Sequence, residues 1–403
     1  MYLARLSIAN FRCFGATPVS VELNEGLTAL VGENDAGKTA VIDALRYALG
    51  TTDQDWLRIE DDDFHSDGAT TASSITIHCE FRELNSAELS AFVEHLTYGR
   101  TPHDPPALHV HWTVKSAGKD IQGRTYRRAE LHSGPSGEGP VIPHEVRELL
   151  QATYLRPLRD AEQALAAGRG SRSARIVSLD PGVSTNTTKV GDITNHTQRD
   201  QVGVAGIAAL IDELLHNQKD LKEVTRRLDD HLGKLSVQPA KHKSTSFKVS
   251  NPTKPDLQLR ALLEKLDLET DGSGPPGLGT NNALFMACEL LQLNKATEGL
   301  RLLLIEEPEA HLHAQRQLRV MQYLQEHSRG GLQVIVTTHS PNLASVIKLD
   351  NIVMVEGGLA RSLSRGKTKL DASDYEFLER FLDATKANLF FARGVLILLC
   401  HKA

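Results

Sequence analysis

Gly32-Glu33-Asn34-Asp35-Ala36-Gly37-Lys38-Thr39 constrains the fold of this chain more than any other stretch. It fits G-x-x-x-x-G-K-[ST]. It stands between an apolar run, Leu27–Val31, and a segment in which Val41, Ile42, Leu45, Ala48 and Leu49 recur at helical spacing. Strand, glycine loop and helix in that order form the context in which the pattern cradles phosphate. Gly32 and Gly37 let the backbone curl until its N–H groups face inward. The helix start adds partial positive charge. In such a loop Lys38 reaches the β- and γ-phosphates and Thr39 holds Mg²⁺. Asn34, Ala36 and Ala40 complete the expected nucleotide contacts. A chance glycine turn would lack the flanking strand and helix.

A loop of this kind needs a large α/β core around it. The 403 residues supply one, with room for two or three structural units. The net charge of −6 gives no global attraction to nucleic acid, so any contact with DNA must come from a local patch. Cys13, Cys79, Cys288 and Cys400 lie far apart with no CxxC pair. That argues against a zinc ribbon or disulfide framework and suits a reducing cytoplasm, the expected location. An alternating strand pattern with Leu6 and Ile8 follows Met1 directly, so no signal peptide is expected. No apolar run approaches the roughly 20 residues that span a bilayer, so no membrane partner is expected.

Further strands are expected at residues 74–81, 108–114 and 124–131, followed by a Gly/Pro loop at 132–143 and a return to the core at 153–158. Residues 168–199 are rich in Ser, Thr, Gly and Asn and read as a long connection. Ile207, Ile211, Leu214, Gln218, Leu221, Thr225, Leu228, Leu232 and Leu235 then alternate in steps of four and three, a heptad stripe with two polar slots. One helix cannot bury that stripe alone. It must pack on its own domain or on a second copy, and the expectation favours a dimerising insertion. Residues 238–256, basic and Pro-punctuated, read as a second linker, and 257–268 as a helix. The glycine-rich residues 271–280 open a helix at 281–292 with Leu284, Cys288 and Leu291 on one face. No internal repeat is evident.

The apolar strand at 301–305 ends in Glu306-Glu307-Pro308, and a buried strand that ends in acids must satisfy those charges somewhere. Beside a phosphate loop the first acid faces Mg²⁺ and the next polarises the attacking water. Glu306 is thus a metal residue and Glu307 the catalytic one, against the plain alternative of a solvated strand end. His339, after the strand at 333–337, is placed to sense the γ-phosphate, and Lys38 completes the catalytic set. His311 and His313 have no further His or Cys at ligand spacing, which makes them loop residues rather than a zinc pair. The acids at 60–63 read as a solvated loop.

Together these residues resemble the ATP-binding-cassette ATPases, within them the RecF- and SMC-like branch. Leu6-x-Ile8-x-Asn10-Phe11-Arg12-x-Phe14 is similar to that branch's opening strand and turn, which implies nucleotide contacts at Asn10 and Arg12. Glu306-Glu307-Pro308-Glu309-Ala310-His311-Leu312-His313, Tyr154-Leu155-Arg156-Pro157-Leu158-Arg159-Asp160 and Gly277-Leu278-Gly279-Thr280-Asn281-Asn282 resemble the OLD (overcoming lysogenization defect) ATP-dependent nucleases, relatives of the Gabija defence nuclease. The resemblance implies an α/β fold: an ABC-type P-loop ATPase with an inserted helical dimerisation segment. It implies ATP and Mg²⁺ as cofactors, a homodimer, DNA, a partner defence protein and a place in phage defence. Gly279, Thr280 and Asn281 would meet ATP across the dimer. Arg156 or Arg159 would stabilise phosphate charge or couple ATP to DNA, the alternative being a solvated arginine pair.

The expected division is residues 1–167 and 257–392 as the two parts of the ATPase core, with 168–256 as linker and dimerisation insert. Residues 393–403 form a stub resembling the first strand of a Toprim nuclease domain. That strand lacks its metal-binding glutamate, so no nuclease activity is expected, since two-metal cleavage needs a cluster of carboxylates. A truncated chain, a frameshifted gene and a natural ATPase-only form all fit. The competing readings are a DNA-binding clamp of the RecF or SMC kind that never cleaves, and a transporter's energising subunit. The 277–282 loop, Glu306 in place of Asp, and the arginines near Pro157 argue against the transporter.

Overall fold

The computed structural model describes residues 1–52, 57–99, 104–119, 125–156, 176, 214–215, 217–235, 244–249, 266–270, 277–295, 299–310, 312–382 and 386–392. The chain divides into two compact units. The first comprises Met1–Pro157, Glu298–Glu309 and Val320–Ala403, and the second Leu158–Thr297 and Ala310–Arg319.

Two sheets build the first unit. One is antiparallel: β1 (Tyr2–Ala9), β2 (Val19–Glu22), β4 (Ser74–Arg82), β5 (Leu96–Thr97) and β6 (Ala107–Lys119) run in the order β2-β1-β4-β6-β5, and β7 (Thr125–Ser133) also pairs with β6. Beyond an irregularity between Leu3 and Arg5, alternation sets its faces: Leu6 and Ile8 of β1 are buried, whereas Arg5 and Ser7 face the other way. The second sheet carries β3 (Leu27–Val31), β8 (Thr153–Leu155), β11 (Leu302–Glu306), β12 (Gln333–Thr338), β13 (Ile352–Glu356) and β14 (Leu359–Ser362) in the order β14-β13-β3-β12-β11-β8. From β13 to β8 every pairing is parallel, and only β14 runs antiparallel. β3, β11 and β12 are buried at every position, as continuous apolar runs in a parallel sheet demand. Helix α1 (Lys38–Leu49) packs between the sheets through Val41, Ile42, Leu45 and Leu49. Gln333 joins the sheets, donating from Nε2 to Leu3 O and Asn24 O (both 2.8 Å) and accepting from Leu3 N at 2.9 Å.

The second unit departs from the sequence expectation. Its helix Lys219–Leu235 buries Leu221, Val224, Leu228, Leu232 and Leu235, and it packs on the helix Leu278–Lys295 and on strand β9 (Thr245–Val249) of the same chain. Of the two partners open to the stripe, its described part meets its own unit, and Val224, not Thr225, is buried there. Thr225 bonds back to Leu221 O at 3.1 Å. Within the expected linker at 238–256 and helix at 257–268, residues 245–249 and 266–268 are strand instead, and residues 250–265 lie outside the described residues. β9 pairs antiparallel with β10 (Leu266–Thr270), because Leu266 and Leu268 alternate with polar residues and find a partner strand. Helix Leu278–Lys295 starts three residues before the expected 281, so Gly279 and Thr280 belong to its first turn. Ile207, Ile211, most of 168–199 and the stub at 393–403 lie outside the described residues. Among those described, no helix is long and apolar enough to cross a membrane.

Candidate nucleotide site

The parallel register brings three strand ends together. Val31 pairs with Thr338, and Glu306 with Thr337, so the loops after β3, β12 and β11 leave the same edge of the sheet. Carboxyl ends of parallel strands are where α/β sheets bind ligands.

After β3 the chain makes the glycine loop. A Cβ on Gly32 would collide with the Val355 carbonyl oxygen, so only glycine fits there. Gly37 has φ 106°, and a Cβ there would lie 2.6 Å from Cys13 Sγ. No side chain caps the start of α1, which leaves its first N–H groups facing the loop. Lys38 is 6 % exposed and donates from Nζ to Gly32 O (2.8 Å) and Glu33 O (2.6 Å). Burial pushes its ammonium pKa down, and the carboxylates of Glu307 and Glu309 oppose that shift.

The two acids after β11 sit in opposite environments. Glu306 is 5 % exposed; Oε2 accepts from Thr39 Oγ1 at 3.1 Å and Oε1 from the Tyr154 hydroxyl at 2.6 Å. Burial raises its pKa against those two hydrogen bonds. Glu307 turns outward because its backbone takes φ 46°, a left-handed conformation that costs a non-glycine residue about 1–2 kcal/mol. Its N–H is fixed on Thr337 O at 3.1 Å. The freed side chain meets His339, Nδ1 lying 3.3 Å from Glu307 Oε1. Glu309 steadies the histidine from behind: Oε1 accepts from Thr338 Oγ1 at 2.6 Å and from His339 N at 3.0 Å. Burial raises its pKa, and its Oε2 is buried with no hydrogen-bond partner.

The residues present fit a nucleotide and Mg²⁺. Mg²⁺ sites use one or two protein oxygens plus substrate phosphates, and Thr39 and Glu306 supply such a pair at 3.1 Å. Among the described residues no group of three or more His, Cys, Asp or Glu is arranged to hold a metal by itself.

Other expected residues fall outside this cluster or are held by protein partners. Asn10 and Arg12 occupy a tight turn with φ 59° and 47°. Arg12 bonds Asp63 from Nε (2.8 Å) and Asp43 from Nη1 (2.6 Å). Arg156 follows β8 on the surface, and Arg159 and His311 are outside the described residues. His313 accepts from Arg316 N at 3.4 Å at the start of helix Ala314–His327, a capping contact in keeping with a loop residue. Gly279, Thr280 and Asn281 form a helix start in the second unit, where Asn282 donates to Ala310 O at 3.1 Å. Sequence reasoning missed Tyr154, Glu309, Asp43 and Arg46. Tyr154 and Glu309 stood inside motifs already singled out, and a polar group next to a buried acid was the available signal.

Residues 27–345 match the family described as "AAA domain, putative AbiEii toxin, Type IV TA system". The OLD nuclease of Thermus scotoductus is 26% identical over 367 residues, which cover 88% of this chain and 62% of that protein. The chromosome partition protein Smc of Chlorobaculum tepidum is 46% identical over 50 residues, 12% of this chain and 4% of that protein. The Smc head domain of Pyrococcus furiosus, solved with an extended coiled coil and bound to the C-terminal domain of ScpA, has a TM-score of 0.56 at 16% identity. It covers 89% of this chain and 95% of that one.

Proposed function

We propose that this chain, which belongs to the AAA-domain family matched by residues 27–345, binds ATP and hydrolyses it to ADP and phosphate. Its fold is that of an Smc head, and it is an OLD/SMC-like ATPase module of the ABC type. The observation that carries the reading is the gathering of Lys38, Thr39, Glu306, Glu307 and His339 at one end of three adjacent parallel strands. Inward N–H groups of the loop would hold the phosphates, with Lys38 moving from Gly32 O and Glu33 O onto phosphate oxygens. Thr39 and Glu306 would hold Mg²⁺, which when bound would neutralise phosphate charge. Glu307 takes a proton from the attacking water. The water oxygen bonds to the γ-phosphorus, the bond to the β,γ-bridging oxygen breaks, and its electron pair leaves with ADP. His339 aligns Glu307 and senses the γ-phosphate.

Glu307→Gln should keep ATP binding and slow turnover by about 10²–10⁴-fold. Undiminished turnover would remove the role given to Glu307.

The finer reading is a homodimer in which Gly279, Thr280 and Asn281 of one copy meet the ATP of the other, with Arg156 or Arg159 linking ATP to DNA. A helix start suits an anionic γ-phosphate. Turnover per molecule should rise with protein concentration, and a flat response would remove the composite site. In the longer OLD relatives such a module would regulate DNA processing. The second reading is a DNA clamp that closes on ATP without cutting, supported by the Smc-head fold. Binding to duplex DNA at several salt concentrations separates a real phosphate contact, which weakens steeply with salt, from none.

A further inference from the structure

We propose that Tyr154 is a positioning residue for the metal side of this site: its hydroxyl sets the orientation of Glu306, and with it the affinity for the divalent cation that accompanies the nucleotide. The inference rests on the ATPase reading above.

The register of β8 against β11 makes the contact possible. Tyr154 pairs with Leu304, and Leu304 and Glu306 share a face of β11 because side chains alternate along a strand. Tyr154 therefore lies on the face of Glu306, one step back, where the length of its ring brings the hydroxyl onto the carboxylate. The 2.6 Å separation is that of a charge-assisted O–H···O⁻ bond.

The two oxygens of Glu306 are thus divided. Oε1 is tied to Tyr154, and Oε2 points to Thr39, the other expected metal oxygen. Fixing one oxygen of a carboxylate fixes the direction of the other.

The ring is itself held. Arg46 Cζ lies 3.9 Å from its centroid, Arg46 Nη1 donates to Asp43 Oδ1 at 2.6 Å, and Asp43 Oδ2 accepts from Arg12 at 2.6 Å. A chain of contacts accordingly runs from the turn at Arg12 to Glu306, and Tyr154 is its last link. It also places Arg12 behind α1 as a support for the metal side. A tyrosine with only a packing role would need no buried carboxylate as its acceptor.

Tyr154→Phe keeps the ring and its stack on Arg46 and removes one donor. The full chain, wild type and variant, is titrated with a fluorescent ATP analogue in EDTA and then with Mg²⁺ at fixed nucleotide. Nucleotide affinity in EDTA and the melting temperature without nucleotide should match wild type. The Mg²⁺ concentration for half-saturation should rise about 10–100-fold, as for other groups that orient a metal ligand. In turnover the loss should be recovered by excess Mg²⁺. Arg46→Lys, which loosens the ring but leaves its hydroxyl, should shift the same midpoint less and in the same direction. Unchanged Mg²⁺ midpoints in both variants would overturn the proposal. So would a loss of nucleotide affinity in EDTA equal to that in Mg²⁺, the mark of a purely structural role. Wild-type protein without any Mg²⁺-dependent binding would instead overturn the ATPase reading beneath it.

Discussion

The antiparallel sheet of the first unit settles its polar side chains across neighbouring strands, whereas the parallel sheet gathers them at its strand ends. On the antiparallel face Arg5 meets Glu22 at 3.2 Å and Glu80 at 3.6 Å, Arg82 meets Glu80 at 2.6 Å, and His78 meets His109 at 3.0 Å. Each pair lies on adjacent strands or two residues apart on one strand, where cross-strand neighbours on an open face can reach each other. The parallel sheet has no such face along β3, β11 and β12, which are buried throughout. Its polar chemistry gathers where the strands stop, around Gly32, Glu306 and Thr338: Gly32 admits only glycine, and Glu307, just past β11, takes a left-handed φ. Burial on both sides explains this: a strand with no wet face can present reactive groups only beyond its last residue. One sheet spends its polar groups on local stability, and the other gathers them at the edge proposed to hold the nucleotide.

The sharpest way to break that contrast is Glu307→Gly. Glycine takes φ 46° without the left-handed penalty, so the folded state should gain up to about 1 kcal/mol even though glycine also loosens the unfolded chain. Turnover should fall by about 10²–10⁴-fold, because the carboxylate beside His339 is gone. A thermal melt read beside an ATPase assay checks both arms. If the variant were less stable than wild type, strain at the end of β11 would not be the cost of function, and the contrast between the sheets would weaken.

The same contrast explains how much could be read from sequence. β3, β11 and β12 were legible because a strand buried on both faces is a continuous apolar run, and the glycine loop declares its own geometry. Glu306, Glu307 and His339 follow those runs directly, so their gathering at one edge needed only the parallel order. Three things were not legible. Tyr154 acts through a ring that reaches across a register pairing, and nothing local to β8 announces its partner 152 residues away. The heptad stripe at Leu221, Leu228, Leu232 and Leu235 has the same period whether it meets a second chain or its own, and here helix Leu278–Lys295 covers it. The helix expected at 257–268 runs into the start of β10, because a short stretch with Leu266 and Leu268 fits either period until a partner strand is known.

Gln333 tests the joint between the sheets, with the next largest effect. Its side chain is 2 % exposed and serves Leu3 N, Leu3 O and Asn24 O. Gln333→Ala leaves those backbone groups buried without a side-chain partner, at about 1–3 kcal/mol for each group that water does not reach. A total loss of about 2–4 kcal/mol is expected, seen as a lower urea midpoint with an unchanged slope. Turnover per folded molecule should persist, because β12 still delivers Thr338 and His339 from its far end. An unchanged urea midpoint in Gln333→Ala would mean that the two sheets are held together by apolar packing alone.

The smallest effect should come from the antiparallel face itself. His78 is hemmed in by His111, whose ring centroid is 4.4 Å away, and by His109. Burial, then His111 and His109, push its pKa down to about 4, with Glu80 pulling the other way. An unfolded histidine titrates near about 6.5. Between those values the unfolded chain binds more protons than the folded one, so stability falls as pH drops from about 6.5 towards 4. His78→Gln removes that contribution and should flatten the slope in that window, measured by denaturant melts at stepped pH. At pH 8, where the imidazole is neutral in both states, ATP turnover should equal wild type, since no catalytic residue touches His78. An unchanged slope would assign the acid sensitivity in that window to His109, whose pKa burial also pushes down. Altered turnover at pH 8 would show that the antiparallel sheet is not the passive partner its local pairing makes it.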